Sequence, residues 1–326
     1  MEPHRTTRTP EAEPDSPGRG RSSRQDGWSP TRFEADDFEQ TRLLNDPRDK
    51  LIGELLREAQ QLSDEQVDQI LEYQQEHGVR FGVAAIRLGH ATESNVLFAL
   101  ARQFHYPYAL EGSEAYNGEL VVGTDPFGEQ AERFRELRSQ LIHGVLEPGA
   151  ERRRPALAVV SPDVGDGKTF FAANLALAFS QLGGRTVIID ADLRTPRLHT
   201  LFGVDGSIGL SSVLAGRAKR QVVHRVPGIP SLYVMPAGAV PPNPLELVQG
   251  MPFSLLVREM TQKFEHVLVD TSAASHGADG RVAAIKCGAA LAIGRQGKTR
   301  LPSLQELVGK LNRGATRMAG VVMNQW

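Results

Sequence analysis

Cysteine is all but missing from this sequence. The single thiol, Cys287, excludes an intramolecular disulfide framework and suits a reducing compartment. Long apolar runs are missing too. None approaches the roughly 20 residues that cross a bilayer, and residues 1–30 hold no hydrophobic stretch of the signal-peptide kind. Nor is one charge in excess: 37 Lys and Arg stand against 39 Asp and Glu, for a net charge of −2. Such a balance gives no electrostatic reason to expect nucleic acid as a partner. These absences predict a cytoplasmic protein that would need another protein to recruit it to an inner membrane.

What is present divides into three regions. Residues 1–48 are rich in Pro, Gly, Ser, Arg and acids and have little apolar periodicity, so a disordered tail is expected there. Residues 49–110 read as helical and contain an internal repeat. Leu51 to Gln74 and Arg80 to Gln103 share one template, with Gly53 matching Gly82, Val67 matching Val96, Leu71 matching Leu100 and Gln74 matching Gln103. Ser63 with Gln66, and Thr92 with Asn95, have capping-box spacing, which predicts a helix start after each. Residues 111–326 begin with a helix candidate, "EQAERFRELRSQLIHGVL". Apolar runs then alternate with helical stretches: "ALAVV", "TVIIDAD", "SLYVMPAG", "HVLVDT", "AALAIGR" and "MAGVVMN". That alternation predicts an α/β fold, a mostly parallel sheet with helices on both faces.

Between "ALAVV" and "FFAANLALAFSQLG" lies "SPDVGDGKT", a phosphate-binding loop whose first glycine is replaced by Pro162. Strand, loop and helix are the context such a loop needs, because its backbone amides and the helix start point at phosphate. Gly165, Asp166, Gly167, Lys168, Thr169 and Phe170 are the expected nucleotide contacts. Lys168 would bridge phosphates and Thr169 would bind Mg²⁺. The first glycine sets the start of the loop rather than touching phosphate, so its loss is tolerable. Acids end two other strands: Asp190 and Asp192, alternating with Arg194, and Asp270. In an open parallel sheet these ends face the ligand crevice. A lone strand-end aspartate is as often a cap or a solvated charge; three beside a phosphate loop are not.

The order of "GDGKT", "IIDADLRTPRLHTLFG", "PAGAVPPNPLEL" and "VLVDT" resembles the bacterial tyrosine kinases of exopolysaccharide assembly. The resemblance implies a P-loop NTPase fold and tyrosine autophosphorylation with ATP and Mg²⁺. Lys168, Asp190 and Asp192 would be catalytic, with Asp190 accepting the tyrosine proton, and Thr169, Asp192 and Asp270 would hold the metal. It also implies a membrane chain-length determinant (Wzz-type) partner and a homo-oligomeric ring. In that ring the E-x-x-R-x-x-R element, here Glu132, Arg135 and Arg138, would touch a neighbour. Asp279 matches a further family aspartate or else caps a helix. The 49–110 region resembles the N-terminal domain of MshE-type secretion ATPases, an arrangement similar to EpsG-type kinases. Its second unit, with Arg80, Gly82, Gly89 and Gln103, fits a cyclic di-GMP motif, whereas the first has Leu51 and Gln60 at the arginine and second-glycine positions. A docking domain without ligand is the other reading.

Three departures keep alternatives open. Asp163 stands where MinD and ParA relatives carry a second lysine, which argues against their dimer mechanism. Ser272 and Ala273 replace two family prolines, predicting a looser loop after Asp270. The tyrosines, Tyr73, Tyr106, Tyr108, Tyr116 and Tyr233, form no cluster after the last strand, so the phosphoacceptor is undetermined. A kinase-inactive ATP-binding regulator and a MinD/ParA-like positioning ATPase therefore stand beside the kinase.

Overall fold

The structure, a computed structural model, describes residues 52–103, 117–147, 154–218 and 221–325. The tail expected to be disordered, and Tyr106, Tyr108 and Tyr116, lie outside these residues.

Four helices form the repeat: α1 (Ile52–Gln60), α2 (Asp64–His77), α3 (Phe81–Arg87) and α4 (Glu93–Gln103). The Ser63 hydroxyl accepts the Gln66 N–H while the Gln66 amide oxygen accepts the Ser63 N–H, so the expected capping box forms. Thr92 and Asn95 make the same reciprocal pair at 2.8 and 3.2 Å despite the shorter amide. The two units pack crosswise, α1 on α4 and α2 on α3, around Leu55, Leu56, Ile70, Phe81 and Ala84. Within the second unit Gly82 lets α3 lie close to α4, because a Cβ there would lie 2.7 Å from Val96 Cγ1.

Beyond them come α5 (Val121–Thr124) and α6 (Glu129–Ile142), then a seven-stranded sheet. Its strands are β1 (Ala156–Val160), β2 (Thr186–Ala191), β3 (His224–Arg225), β4 (Leu232–Met235), β5 (His266–Thr271), β6 (Gly288–Arg295) and β7 (Arg317–Asn324). The spatial order is β3-β4-β2-β5-β1-β6-β7, parallel throughout except for β3. The expected mostly parallel sheet with helices on both faces is what folds. Only β3 escaped the sequence reading, since two residues carry no periodicity. The central strands are buried at every position, as strands covered on both faces must be.

Alternation along β1 assigns the faces. Leu157 and Val159 pack with α7 (Lys168–Ser180), whose residues from Phe171 onward are all buried. Ala156, Ala158 and Val160 join the opposite core beneath α11 (Met251–Lys263) and α12 (Asp279–Cys287). The short helices α8 (Leu198–Phe202), α9 (Leu210–Leu214) and α10 (Pro244–Gln249) and the longer α13 (Leu301–Asn312) complete the layers. Because β1, β2 and β5 are parallel neighbours, the loops after them open on one side of the sheet.

Candidate functional site

The loop from Ser161 to Thr169 leaves β1 and turns into α7. Two glycines make that turn possible: Gly165 at φ +82° and Gly167 at φ +93° lie in the left-handed region. A Cβ on Gly167 would stand 2.2 Å from Asn324 Nδ2, so glycine is required there twice over. Pro162 needs no such freedom, since Gln61 is the one non-glycine residue with positive φ among the described residues. The substitution at the loop's first position therefore costs no backbone strain. The proline carbonyl is used, accepting the Ser275 N–H at 2.9 Å, and the Ser161 carbonyl accepts the Ala274 N–H at 2.9 Å.

These two bonds correct the expectation of a loose segment after Asp270. Thr271 adds a third tie, donating its hydroxyl to the Val159 carbonyl at 2.7 Å. Ser272 and Ala273 lie buried within the tied stretch, so the missing prolines are replaced by hydrogen bonds between the two loops.

Asp166, expected among the nucleotide contacts, is fully buried with its carboxylate turned into the loop. It accepts the Asp163 N–H at 2.8 Å and the Thr299 hydroxyl at 2.7 Å, which leaves only its main-chain amide for a phosphate. Sequence reasoning missed this bracing set. Arg295 donates to the Gly165 carbonyl at 3.3 Å, Lys298 to the Val164 carbonyl at 3.4 Å and Asn324 to the Asp166 carbonyl at 3.2 Å. Three of these residues share "RQGKT", a cationic turn after an apolar strand, and that was the available signal.

Asp190 and Asp270 are register partners on adjacent parallel strands, so their side chains share a face. Asp190 is fully buried; its oxygens accept the N–H groups of Asp192, Arg197 and Leu198 at 3.1–3.2 Å. Burial, then the Asp270 charge, hold its carboxyl well above the ordinary range despite those bonds. Asp192 organises the next turn, accepting the N–H groups of Arg194 and Thr195 and the Thr195 hydroxyl. Asp270 differs from both. It is completely buried, yet neither oxygen has a hydrogen-bond partner. Burial raises its pKa to about 6, while the Lys168 ammonium and the facing Thr169 hydroxyl pull it down. An orphaned buried carboxylate costs several kcal/mol unless something cationic joins it, and a hard divalent ion shared with Thr169 is the group these oxygens fit.

Arg194 does not reach toward a phosphate. Its Nε and Nη2 donate to the two oxygens of buried Asp279, tying the turn after β2 to the start of α12. Asp279 is thus an ion-pair anchor. The E-x-x-R-x-x-R element is also engaged within its own chain. Arg135 pairs with Glu132 and donates to the Pro126 carbonyl, and Arg138 donates to the Ala178 carbonyl near the end of α7. None of the three comes to the acids. In the repeat, Gly82 is explained by packing and Gly89, at φ +74°, by its turn, while Arg80 is exposed at the start of α3.

A cavity of about 450 Å³ opens over the loop, lined by Gly165, Gly167, Phe170 and Asn324 together with Glu119 and Arg197. Residues 157–326 match one known family, the CobQ/CobB/MinD/ParA nucleotide binding domain. The chain belongs to this family. Within it the relatives are tyrosine kinases, as the motif resemblance implied. Tyrosine-protein kinase ptk of Acinetobacter johnsonii is 32% identical over 193 residues, 59% of this chain and 26% of that protein. Tyrosine-protein kinase YwqD of Bacillus subtilis is 27% identical over 205 residues, 63% of this chain and 85% of that protein. The kinase domain of Escherichia coli tyrosine kinase ETK superposes with a TM-score of 0.60 at 27% identity, covering 66% of this chain and 83% of that one. The chain spans about a quarter of the length of the Acinetobacter relative. Nucleotide binding is therefore a property of the family to which this loop and these acids belong.

Proposed function

We propose that the chain is an ATP-dependent protein tyrosine autokinase that regulates exopolysaccharide polymerisation, chain length and export. Its partner would be a membrane chain-length determinant that recruits it from the cytoplasm, and its working form a homo-oligomeric ring. The observation that carries this reading is the orphaned Asp270 carboxylate, lying in register with Asp190 and facing Lys168 and Thr169. Phosphoryl transfer needs positioning and charge compensation more than covalent chemistry, and these residues supply both. The amides of Gly165 to Thr169 and the Lys168 ammonium would hold the phosphates, while Thr169, Asp192 and Asp270 would hold Mg²⁺. Mg²⁺ would neutralise charge on the phosphate oxygens. Asp190 would accept the proton of the tyrosine hydroxyl, and burial raises the proton affinity of its carboxyl. Asp163 at the second-lysine position supports transfer over a MinD-type dimer.

Incubating the full chain with γ-labelled ATP and Mg²⁺, beside Lys168→Ala and Asp190→Asn, tests this. Label on tyrosine in the intact chain, lost in both variants, is the expected result. Nucleotide binding without transfer would sink the kinase and leave an ATP-dependent regulator. One observation favours that second reading: of the two described tyrosines, Tyr233 is buried in β4 and Tyr73 is stacked on His77. Residues 49–110 are read as a docking domain for the membrane machinery. Cyclic di-GMP would enter there through Arg80 and Gln103, since both glycines of the motif have structural roles.

A further inference from the structure

The segment ahead of α6 is lashed to the nucleotide loop's own helix. Asn174, fully buried on α7, accepts the Val122 N–H at 3.0 Å and donates to the Glu119 carbonyl at 2.8 Å. Leu120 and Val122 are buried beneath it. This strap brings Gly118 and Glu119 to the cavity wall opposite Gly165 and Gly167. There the Glu119 carboxylate pairs with the Arg197 guanidinium, with side chains 38% and 50% exposed. Arg197 also donates its main-chain N–H to Asp190.

The cavity has two ends. Arg295 and Asn324 sit on the β6–β7 side, and Arg197 sits on the β2 side. The orphaned Asp270 and its partner Asp190 lie on β5 and β2, so the terminal phosphate of a triphosphate on the loop would lie on Arg197's side of the cavity. We infer that Arg197 is a ligand for that phosphate, held off in the nucleotide-free chain by Glu119. Binding of a triphosphate would transfer the guanidinium from carboxylate to phosphate, with the strap still held by Asn174. A solvent-exposed ion pair is weak and yields easily, whereas a phosphate offers more charge and bidentate geometry. A diphosphate, ending short of Arg197, leaves the pair closed. The inference rests on the nucleotide reading above.

Calorimetry on the full chain with Mg²⁺, comparing ADP with a non-hydrolysable ATP analogue, separates the two ideas. Arg197→Ala is expected to weaken the triphosphate roughly tenfold and to leave ADP unchanged. Arg197→Lys should restore part of the loss. Glu119→Gln should strengthen the triphosphate roughly threefold, and this gain should vanish in the double variant. Equal weakening of both nucleotides by Arg197→Ala, or no change in either, would overturn the inference while the nucleotide site stands. A folded wild-type chain that binds neither nucleotide would overturn both.

Discussion

Asp270 is a buried carboxylate with no hydrogen bond on either oxygen, and its carboxyl pKa is raised from 3.8 to about 6. Between those values the folded chain binds a proton that the unfolded chain does not. The unliganded protein should therefore gain stability as pH falls through about 6, with the gain complete near 4. Metal binding should run the other way, weakening over the same fall because the carboxylate must be ionised. Asp270→Asn is accordingly expected to stabilise the metal-free chain at pH 8 by on the order of 2 kcal/mol and to abolish Mg²⁺-dependent nucleotide binding. Chemical denaturation with and without Mg²⁺ reads both, and a destabilised variant would show that something else satisfies those oxygens. Gly167→Ala makes a second residue-scale test. Its Cβ would meet Asn324 at 2.2 Å with φ at +93°, so nucleotide affinity should fall at least tenfold, consistent with ~1–3 kcal/mol of local strain. Unchanged affinity would mean that the loop rearranges on binding.

Helix α6 joins the loop's helix through Arg138 as well as through its apolar face. Arg138 satisfies the Ala178 carbonyl in the last turn of α7, a position with no helical partner of its own. Arg138→Ala should cost about 1–2 kcal/mol of stability, read by urea unfolding. If the same element also builds a ring, Arg135→Ala with Arg138→Ala should lower the mass measured by light scattering at a temperature where the fold persists. A mass that stays the same would confine both residues to the intrachain bonds. In the repeat, Gly82→Ala places a methyl 2.7 Å from Val96. Loss of about 1–3 kcal/mol from the helical segment, seen as an earlier far-ultraviolet transition, is expected without change at the nucleotide loop. Motif spacing could not foresee these roles, since a capping arginine and a surface arginine look alike in sequence.

The whole sheet can be followed through one thiol. Cys287 ends α12, is 4% exposed, and burial pushes its pKa up to about 12. In the native protein it should resist a thiol reagent at pH 8, reacting only as α12 leaves the sheet. Labelling rates should then track global unfolding and slow further when nucleotide is bound. Fast labelling of the native chain would mean that α12 opens locally.

Sequence alone determined the elements and their chemistry. The runs "ALAVV", "HVLVDT" and "MAGVVMN" are apolar over strand length, and β1, β5 and β7 lie on them. Glycine, lysine and threonine at fixed spacing after the first of these dictate a phosphate loop, because the required backbone geometry is local. Tertiary structure decided which polar groups are spent on holding the fold and which are left for a ligand. Asp166, Asp190, Asp192 and Asp270 are one residue type in similar settings; neighbouring turn amides serve Asp190 and Asp192, Thr299 reaches Asp166 from far along the chain, and Asp270 is left without a donor. The braces Thr299 and Asn324 come from more than a hundred residues along the chain. No local pattern carries that information, since the contact exists only after β6 has paired with β1 and β7 with β6.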